Sequence, residues 1–409
     1  MKLKRLTLGQ FRNIDALDIS LSESFNLFVG PNGQGKTSIL EAIAFLGDLR
    51  SFRSNRVPDL MRFKELSTRV CGQLEAIDSE QQLWSTKLEC TLIRQAPEAS
   101  RVQKRVRVNE RTFGSSLAYL RHRNQAAGGG FHTIAFNPSD HELVQGSPSE
   151  RRDAFNRMFG SFSDEYLSVL RNYQRVLEQR NALLKNSSGT STWLGEFDDG
   201  LVRYGAQIIV FRAEFLKRLE AETQKNLVKI APQQKDFKMS LQTTLFGTQN
   251  SEKTDLFVSK DEHFSGQNSL LSIENVKSTL EEALRGKARF EREAGVTLVG
   301  PHRDDFGLWI GEAPLKGIGS QGEVRSVLLA MKLAEIRLYQ EFTGMKPLLL
   351  IDDFSSELDR SRRERLFQEL KSTGLQTFVT STESLEDWNL GDKGTQVFSV
   401  RSGHATPTL

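Results

Sequence analysis

The chain has 409 residues, 38% hydrophobic and 26% charged, so it can bury a sizeable core and is long enough for two or three domains. Its net charge of +3 and pI near 8.7 are mild, which excludes attraction to polyanions by whole-molecule charge and leaves only local patches. The two cysteines, Cys71 and Cys90, lack CxxC spacing, which disfavours a disulfide or zinc scaffold and favours a reducing compartment.

The opening stretch MKLKRLTLGQFRNI lacks the apolar core of a signal peptide. No apolar run approaches the length of a membrane-spanning helix. We therefore expect a cytoplasmic protein without a membrane partner.

The sequence VGPNGQGKTSIL, residues 29–40, fits the G-x-x-x-x-G-K-[ST] pattern of a phosphate-binding loop, or P-loop. The apolar strand NLFV precedes it and SILEAIAFL, with a buried helix face, follows it, so a merely glycine-rich turn is disfavoured. Lys36 would place its ammonium near the terminal phosphates of ATP, and the Thr37 hydroxyl can ligate Mg²⁺. The predicted ATP-binding residues here are Gly30, Pro31, Asn32, Gly33, Gln34, Gly35, Lys36 and Thr37.

Three basic groups follow along the chain, and such groups suit contacts with DNA phosphates more than with base edges. They are Arg50, Arg53 and Arg56; Arg101, Lys104, Arg105 and Arg107; and Arg121 and Arg123. Basic runs are also common as solvated faces, and the alternation in RVRV is typical of a half-buried strand. The residues alone leave both interpretations open.

The middle of the chain predicts a short antiparallel helical arm. Five apolar residues share one face of its first helix, namely Tyr166, Leu170, Tyr173, Leu177 and Leu184. The second helix covers DGLVRYGAQIIVFRAEFLKRLEAETQKNLVKI. The polar stretch FGTQNSEKTDLFVSKDEHFSGQNS predicts loops, and the sheet is expected to resume near GVTLVGPHRDDFGLWI.

A further helix begins after the small residues of GIGSQGEV. Ser320 and Glu323 form an S-x-x-E capping box, which is expected at any helix start. Ser320, Gln321 and Gly322 also resemble the signature motif of ABC-type ATPases, which binds the γ-phosphate held by a second protomer. A helix N-terminus suits that task, so we predict that Ser320 and Gly322 contact ATP across a dimer.

The stretch KPLLLIDDFSSELD predicts a buried parallel strand with Asp352 and Asp353 at its carboxyl end, where open α/β sheets bind ligands. A strand-ending turn is the alternative, but two adjacent acids are costly there without a cation. Asp352 is the predicted Mg²⁺ ligand beside Thr37, and Asp353 is placed to orient or deprotonate the attacking water. With Lys36 and Ser320, Asp353 forms the predicted catalytic set.

The switch position after the strand QTFVTST falls on Thr380 or Ser381. Neither is the histidine of most transporters, so hydrolysis is expected to be slow.

The two halves of the nucleotide site lie at opposite ends of the chain, so both ends must fold together. This arrangement predicts an α/β fold, a P-loop ATPase head of the ABC/SMC type assembled from N- and C-terminal segments, with an inserted, mainly helical domain. We predict residues 1–150 as the N-terminal part of the head, 151–290 as the helical arm, and 291–409 as the C-terminal part with the signature and the Asp352 strand.

Nine blocks occur in order along nearly the whole chain: LGQFRNI, GPNGQGKTSILEAI, LRSFRS, RVRVNERTF, NPSDHELVQGSPSERRDAFN, LEQRNALLK, GPHRDDF, SQGEVRS and LLIDDFSSELD. Together they resemble the RecF family of bacterial DNA repair ATPases. The blocks GSPSERR and IDDFSSELD are the most specific. The chain departs from the family pattern at Ser139, where a glutamate is usual, and at Phe155 and Asn156, where a Leu-Asp type ending is usual.

The resemblance implies a weak Mg²⁺-dependent ATPase that forms an ATP-dependent homodimer on gapped DNA and single-/double-strand junctions. It implies help to RecO and RecR in loading RecA, with roles in recombinational repair, replication and SOS induction. Two other classes are an SMC-type head of another repair complex, which needs longer heptad arms than residues 151–290 provide, and an ABC transporter subunit, which predicts a membrane partner and a histidine switch.

Overall fold

The protein is described by a computed structural model over residues 1–54, 56–77, 83–125, 129–186, 194–234, 236–245, 254–257, 272–352, 370–371, 373–382 and 394–408. It divides into two compact units, one made of Met1–Asp140 with Tyr339–Leu409 and the other of His141–Leu338. The first unit combines both ends of the chain, as the predicted head requires. The division at residues 150 and 290 stays a prediction.

Within these ranges, no helix is both long enough and apolar enough to cross a bilayer.

The strands, in chain order, are β1 (Lys2–Phe11), β2 (Ile14–Ser20), β3 (Phe25–Val29), β4 (Ser67–Ile77), β5 (Leu83–Ile93), β6 (Gln103–Val108), β7 (Arg111–Phe113), β8 (Thr133–Phe136), β9 (Phe237–Thr243), β10 (Thr254–Phe257), β11 (Asp305–Ile310), β12 (Ala313–Pro314), β13 (Leu348–Ile351), β14 (Thr377–Ser381), β15 (Thr395–Arg401) and β16 (His404–Thr408). The helices are α1 (Lys36–Asp48), α2 (Ser116–Gln125), α3 (Glu142–Gln145), α4 (Pro148–Phe162), α5 (Asp164–Asn186), α6 (Gly195–Ile230), α7 (Ile273–Ala294) and α8 (Gln321–Thr343). Single turns cover Val57–Leu60, Pro138–His141 and Leu315–Ile318.

An antiparallel sheet in the first unit has the strand order β2-β1-β4-β5-β6-β7. Along β5, Leu88, Cys90 and Leu92 are buried and alternate with more exposed neighbours. This period of two is typical of a sheet with one face on a core and the other in water.

A second sheet of the same unit has the order β16-β15-β3-β14-β13-β8 and is parallel except for β16. Strand β13 is buried throughout, because both faces of a parallel sheet are covered. In the register of this sheet, Val29 of β3 lies beside Ser381 of β14, and Ile351 of β13 lies beside Val379 of β14. These strands therefore end at one edge of the sheet, where Gly30 and Asp352 follow.

Helix α1 is buried on almost every side. Its Ile39, Ile43 and Leu46 share one hydrophobic core with residues of both sheets, such as Leu88 of β5 and Phe378 of β14. A helix with apolar residues on most of its faces requires such cover. The core thereby fixes the start of α1 against the edge where the parallel strands end.

The second unit contains the predicted antiparallel helix pair. Arg180 of α5 donates to Asp198 near the start of α6 at 2.7 Å, whereas the ring of Tyr166 lies 5.9 Å from that of Phe211 further along α6. The two predicted helices are therefore confirmed as α5 and α6.

A third sheet, of order β10-β9-β11-β12, also lies in this unit. The stretch GVTLVGPHRDDFGLWI was expected to resume the head sheet, and that prediction is wrong, because β11 pairs with β9 in the register Phe306 to Leu241 and Leu308 to Met239. These four side chains are buried, so β9 supplies the apolar partner that β11 needs. Within the stretch predicted as loops, 254–257 form a strand and the rest lies largely outside the described residues.

Buried polar contacts hold the residues before β11. The His302 Nε2–H donates to the Thr297 carbonyl at 3.0 Å, and the Tyr173 hydroxyl donates to His302 Nδ1 at 2.7 Å. Because a carbonyl accepts and never donates, the Thr297 contact places the proton of the neutral imidazole on Nε2, and Nδ1 then accepts from Tyr173. Burial, reinforced by three nearby guanidinium groups, lowers the pKa of His302 to about 4.

Candidate nucleotide-binding site

The predicted phosphate-binding loop connects β3 to α1, and the backbone requires glycine at two of its positions. Gly35 precedes α1 with φ of 107°, a left-handed conformation that favours glycine. At Gly30 a Cβ atom would lie 2.3 Å from the Val400 carbonyl oxygen of β15. The loop therefore lies close to a neighbouring strand, and the N-terminus of α1 opens beside it.

Lys36 is the first residue of α1, and its side chain is buried within the loop. Its ammonium donates to the Gly30 carbonyl at 2.6 Å and to the Pro31 carbonyl at 2.9 Å. The predicted phosphate-binding lysine thus lies against the loop.

The two ends of the chain meet at Thr37 and Asp352. The Thr37 hydroxyl donates to Asp352 Oδ1 at 2.8 Å, and the Thr380 hydroxyl donates to the same oxygen at 2.7 Å. Of the two switch candidates, Thr380 lines the cleft, whereas Ser381 is fully buried and its carbonyl accepts from the Gly30 N–H at 3.3 Å.

The outside of the P-loop is held by two other parts of the first unit. Asn13 donates to the Gly33 carbonyl at 3.3 Å and accepts from the Ser38 hydroxyl at 2.9 Å. In the β15–β16 turn, the Ser402 N–H donates to Gln34 Oε1 at 2.7 Å and the Gly403 N–H donates to the Gln34 carbonyl at 2.9 Å. The β15–β16 turn therefore holds the P-loop in place through Gln34.

A cleft of about 620 Å³ runs along the loop. It is lined by Arg12, Asn13, Asn32, Gly33, Gly35, Lys36, Thr37, Ser38, Arg53, Asp59, Met61, Asp352 and Thr380. Of the ATP-binding residues predicted in the P-loop, Gly30, Pro31 and Gln34 are not among these. The carbonyls of Gly30 and Pro31 accept from the Lys36 ammonium, and Gln34 is bound to the β15–β16 turn.

Arg12 and Arg53 also line this cleft, although no sequence motif predicted a nucleotide role for either. Arg12 donates twice to Glu41 of α1, at 2.8 and 2.6 Å, and Arg53 lies 3.5 Å from the same carboxylate. Glu41 is 0% exposed, and a buried carboxylate needs such partners. Glu41 thus fixes two guanidinium groups on the cleft wall. The block LGQFRNI contained Arg12, but nothing in it showed that it would fold beside the P-loop.

Two predicted DNA contacts point inward. Arg123 is buried, and its guanidinium donates to the Gly47 carbonyl at 3.2 Å and pairs with Asp48. Lys104 donates to the Leu49 carbonyl at 2.8 Å, and burial lowers its pKa. Both cations face the carbonyl end of α1, which favours positive charge. The prediction of phosphate contacts does not hold for these two, whereas Arg105 and Arg107 are exposed.

Ser320 lies in the second unit and begins α8. Its hydroxyl donates to Glu323 Oε2 at 2.8 Å and accepts from the Glu323 N–H at 3.3 Å, while the Ser320 N–H donates to the same carboxylate at 2.8 Å. The predicted capping box is present. The signature role of Ser320 and Gly322 stays a prediction. Asp353 lies outside the described residues, so its role also stays a prediction.

The hydroxyls of Thr37 and Thr380 both lie within hydrogen-bonding distance of Asp352 Oδ1, so three oxygen ligands are close together. Mg²⁺ prefers such hard oxygen ligands and normally keeps several waters beside one or two carboxylates. The residues therefore fit the predicted cation.

A parallel sheet with a P-loop after one strand, an aspartate after another and a large inserted unit defines a P-loop head of the ABC/SMC class. The profile of the RecF/RecN/SMC N terminal domain matches residues 2–406. The DNA replication and repair protein RecF of Symbiobacterium thermophilum is 34% identical over 412 residues, which cover 98% of this chain and 97% of that protein. RecF of Streptococcus gordonii is 32% identical, with 99% of each chain covered.

Solved structures agree with this assignment. One described as the recombination mediator protein RecF-ATPrS in the RecFOR pathway has a TM-score of 0.80 at 27% identity and covers 100% of this chain and 98% of its own. An Smc head domain from Pyrococcus furiosus has a TM-score of 0.53 at 14% identity over 100% of this chain and 96% of its own, a likeness of fold alone. The chain belongs to the RecF family of DNA replication and repair proteins.

Proposed function

We propose that this chain is an ATP-gated recombination mediator of the RecFOR type. Two copies would close on ATP while bound to gapped DNA or to a junction of single and double strands. With RecO and RecR they would help to load RecA, and hydrolysis, as a weak Mg²⁺-dependent ATPase, would release them. The role would extend to replication and SOS induction in the cytoplasm.

The observation that carries this proposal is the hydrogen bond between Thr37 and Asp352 at 2.8 Å. It brings a hydroxyl at the start of α1 to the carboxylate after β13, which is the pair that holds Mg²⁺ beside the β- and γ-phosphates in P-loop proteins. The relatives support the rest, because two solved structures are described as RecF with ATP or ATPrS in the RecFOR pathway.

In this proposal the chain's own residues bind and orient the nucleotide. Lys36 exchanges the carbonyls of Gly30 and Pro31 for phosphate oxygens, and the N-terminus of α1 adds its N–H groups. Thr37 and Asp352 hold Mg²⁺, which neutralises charge on the phosphates when bound. Asp353 orients the attacking water, and Ser320 of the opposite copy closes the site.

The test is to measure mass and DNA binding on the same sample. Full-length protein is run by sedimentation with no nucleotide, with Mg-ADP and with Mg-ATP, each with a labelled gapped duplex and with a blunt duplex of equal length. We expect a dimer only with Mg-ATP, tighter binding of the gapped duplex in that state, and ATP hydrolysis stimulated by DNA. A protein whose mass and DNA affinity are the same in all three conditions contradicts the proposal.

A further inference from the structure

The most exposed large apolar side chain in the described part of the chain belongs to Phe63, which is 85% exposed. It lies in a β-turn over 62–65, in which the Glu65 N–H donates to the Arg62 carbonyl at 3.1 Å; this turn together with Leu66 is called the aromatic turn. Lys64 follows with φ of 66°, the left-handed conformation that some turns require at their third residue. The turn therefore presents Phe63 at its tip.

The aromatic turn is held from within by Arg94, whose side chain is buried. The Arg94 guanidinium donates to the Glu65 carbonyl at 2.6 Å and to the Arg62 carbonyl at 3.3 Å. The backbone N–H of Arg94 donates to the Leu66 carbonyl at 3.0 Å. An apolar ring at a fully hydrated tip gains nothing for folding. A buried guanidinium that fixes the backbone beneath it keeps the ring presented to a ligand.

A positive charge lies beside this ring, and further basic side chains follow along the neighbouring sheet. The Lys64 ammonium lies 5.5 Å from the ring centroid of Phe63, a cation–π distance. Three residues after Leu66, Arg69 begins a row across the exposed face of the sheet that runs through Thr91 to Arg105. This row spans about 10 Å over three strands. The side chains of Arg69 and Arg105 are exposed, and Arg69 also pairs with Glu89 at 2.6 Å.

We propose that Phe63 is a stacking platform for an unpaired base of single-stranded DNA, with Lys64, Arg69 and Arg105 along the phosphates of the same strand. The inference rests on the DNA binding proposed above and adds the residue that recognises the unpaired region. One exposed ring beside cations is the arrangement that binds single strands without reading sequence.

A docked protein fits this surface less well. A stable protein interface buries about 800 Å² on each partner and is depleted in lysine at its centre. The aromatic turn offers one ring and the half-exposed Leu66, with Lys64 against the ring. A base needs only the ring itself.

The experiment compares Phe63→Ala, Phe63→Leu and Phe63→Trp in the full-length protein with Mg-ATP at one fixed salt concentration. Affinity is measured for a labelled gapped duplex and for a blunt duplex of equal length. We expect Phe63→Ala to weaken gapped-duplex binding on the order of 10-fold, which is the loss of one stacked base, and to leave blunt-duplex binding unchanged. Phe63→Trp should restore the affinity and Phe63→Leu should not, because leucine lacks a π-face.

Phe290 provides the matched control. It is 56% exposed, and the Lys287 ammonium lies 5.5 Å from its ring, but it lies on α7 beside the ion pair of Arg289 and Glu293. Phe290→Ala should bind both DNAs as the wild type does. A gapped substrate with 5-iodouracil in the gap should cross-link on irradiation to the peptide that contains Phe63.

Three outcomes overturn the inference: gapped-duplex binding unchanged in Phe63→Ala, equal weakening for both DNAs, or full affinity in Phe63→Leu. Unchanged DNA binding with weakened binding to RecR would identify the aromatic turn as a protein contact instead. If the wild type binds neither DNA with Mg-ATP, the proposed function itself fails. If it binds the gapped duplex and Phe63→Ala does so equally, only the stacking role fails.

Discussion

Thr37 and Asp352 are 315 residues apart in the sequence, and their side chains form a hydrogen bond of 2.8 Å. Thr37→Val keeps the shape of the side chain and removes this donor and potential Mg²⁺ ligand. We expect the variant to bind ATP about equally well with Mg²⁺ and with EDTA, whereas the wild type binds more tightly with Mg²⁺. Nucleotide titration under both conditions is the measurement. Thr112→Val, at an exposed site of β7, is the control, and a Mg²⁺ response in Thr37→Val equal to wild type would remove Thr37 from the cation site.

Lys36→Ala should abolish productive ATP binding, because it removes the charge that faces the β- and γ-phosphates. Titration with a fluorescent ATP analogue measures the affinity, and sedimentation with Mg-ATP measures the loss of dimer. Lys87→Ala, an exposed lysine of β5, should match wild type in both assays. Normal ATP binding and dimerisation by Lys36→Ala would show that the P-loop assignment is wrong.

Asp353→Asn should leave ATP bound but unhydrolysed, since Asp352 still serves Mg²⁺ while activation of the water is lost. A general base typically contributes about 10²-fold or more to the rate, so turnover should fall by that order. The expected product is a dimer that persists with ATP, seen by sedimentation of the sample used for the rate. Wild-type turnover in Asp353→Asn would exclude Asp353 from the mechanism.

Ser320→Arg separates a helix cap from a residue that serves the opposite copy. Loss of the cap costs about 1 kcal/mol of stability and leaves nucleotide binding unchanged. A signature residue replaced by a long, bulky cation should instead give a monomer that binds ATP with near-normal affinity yet cannot dimerise or retain DNA.

Ser147 provides the matched control for this test, because it caps α4 through the same Ser-x-x-Glu box with Glu150. Ser147→Arg should lose similar stability and still dimerise with Mg-ATP. Sedimentation and nucleotide titration on each variant are sufficient. If Ser320→Arg also dimerises with ATP, the proposed action of Ser320 across the dimer is contradicted.

The lowered pKa of His302 predicts acid sensitivity. The folded pKa is about 4 and the unfolded value is near 6.5, so between these pH values the unfolded chain binds more protons. Stability is then fully present above pH 6.5 and declines as the pH falls toward 4, by about 3 kcal/mol in total. Urea unfolding at several pH values measures this slope. His302→Gln keeps an acceptor and a donor without a charge and should flatten it, whereas the exposed His404→Gln should not.

The sequence predicted what local pattern determines. The P-loop, the strand before Asp352, the Ser320 cap and the helices α5 and α6 all follow from spacing or periodicity within a few turns of chain. The partners of those elements could not be read in this way. Nothing in RVQKRVRV shows that Lys104 turns toward α1, and nothing near Glu41 shows that this carboxylate binds Arg12 and Arg53.

The wrong prediction of the sheet to which β11 belongs has the same cause, namely a partner distant in the sequence. Its apolar residues predicted a strand correctly, but the choice between the head sheet and β9 depends on which buried surface lies nearby in space. Lys36, Thr37 and Asp352 were each predicted from a short local motif, whereas the cleft wall is set by contacts between distant segments.

The contact between Gln34 and the turn at Ser402 and Gly403 joins residues 368 positions apart. A ribosome makes the phosphate loop early and the turn that braces it late. During synthesis the loop therefore remains without its brace, and without Asp352, while most of the chain is still being added. The site with its brace and its carboxylate together can therefore form only after residues 402 and 403 have left the ribosome.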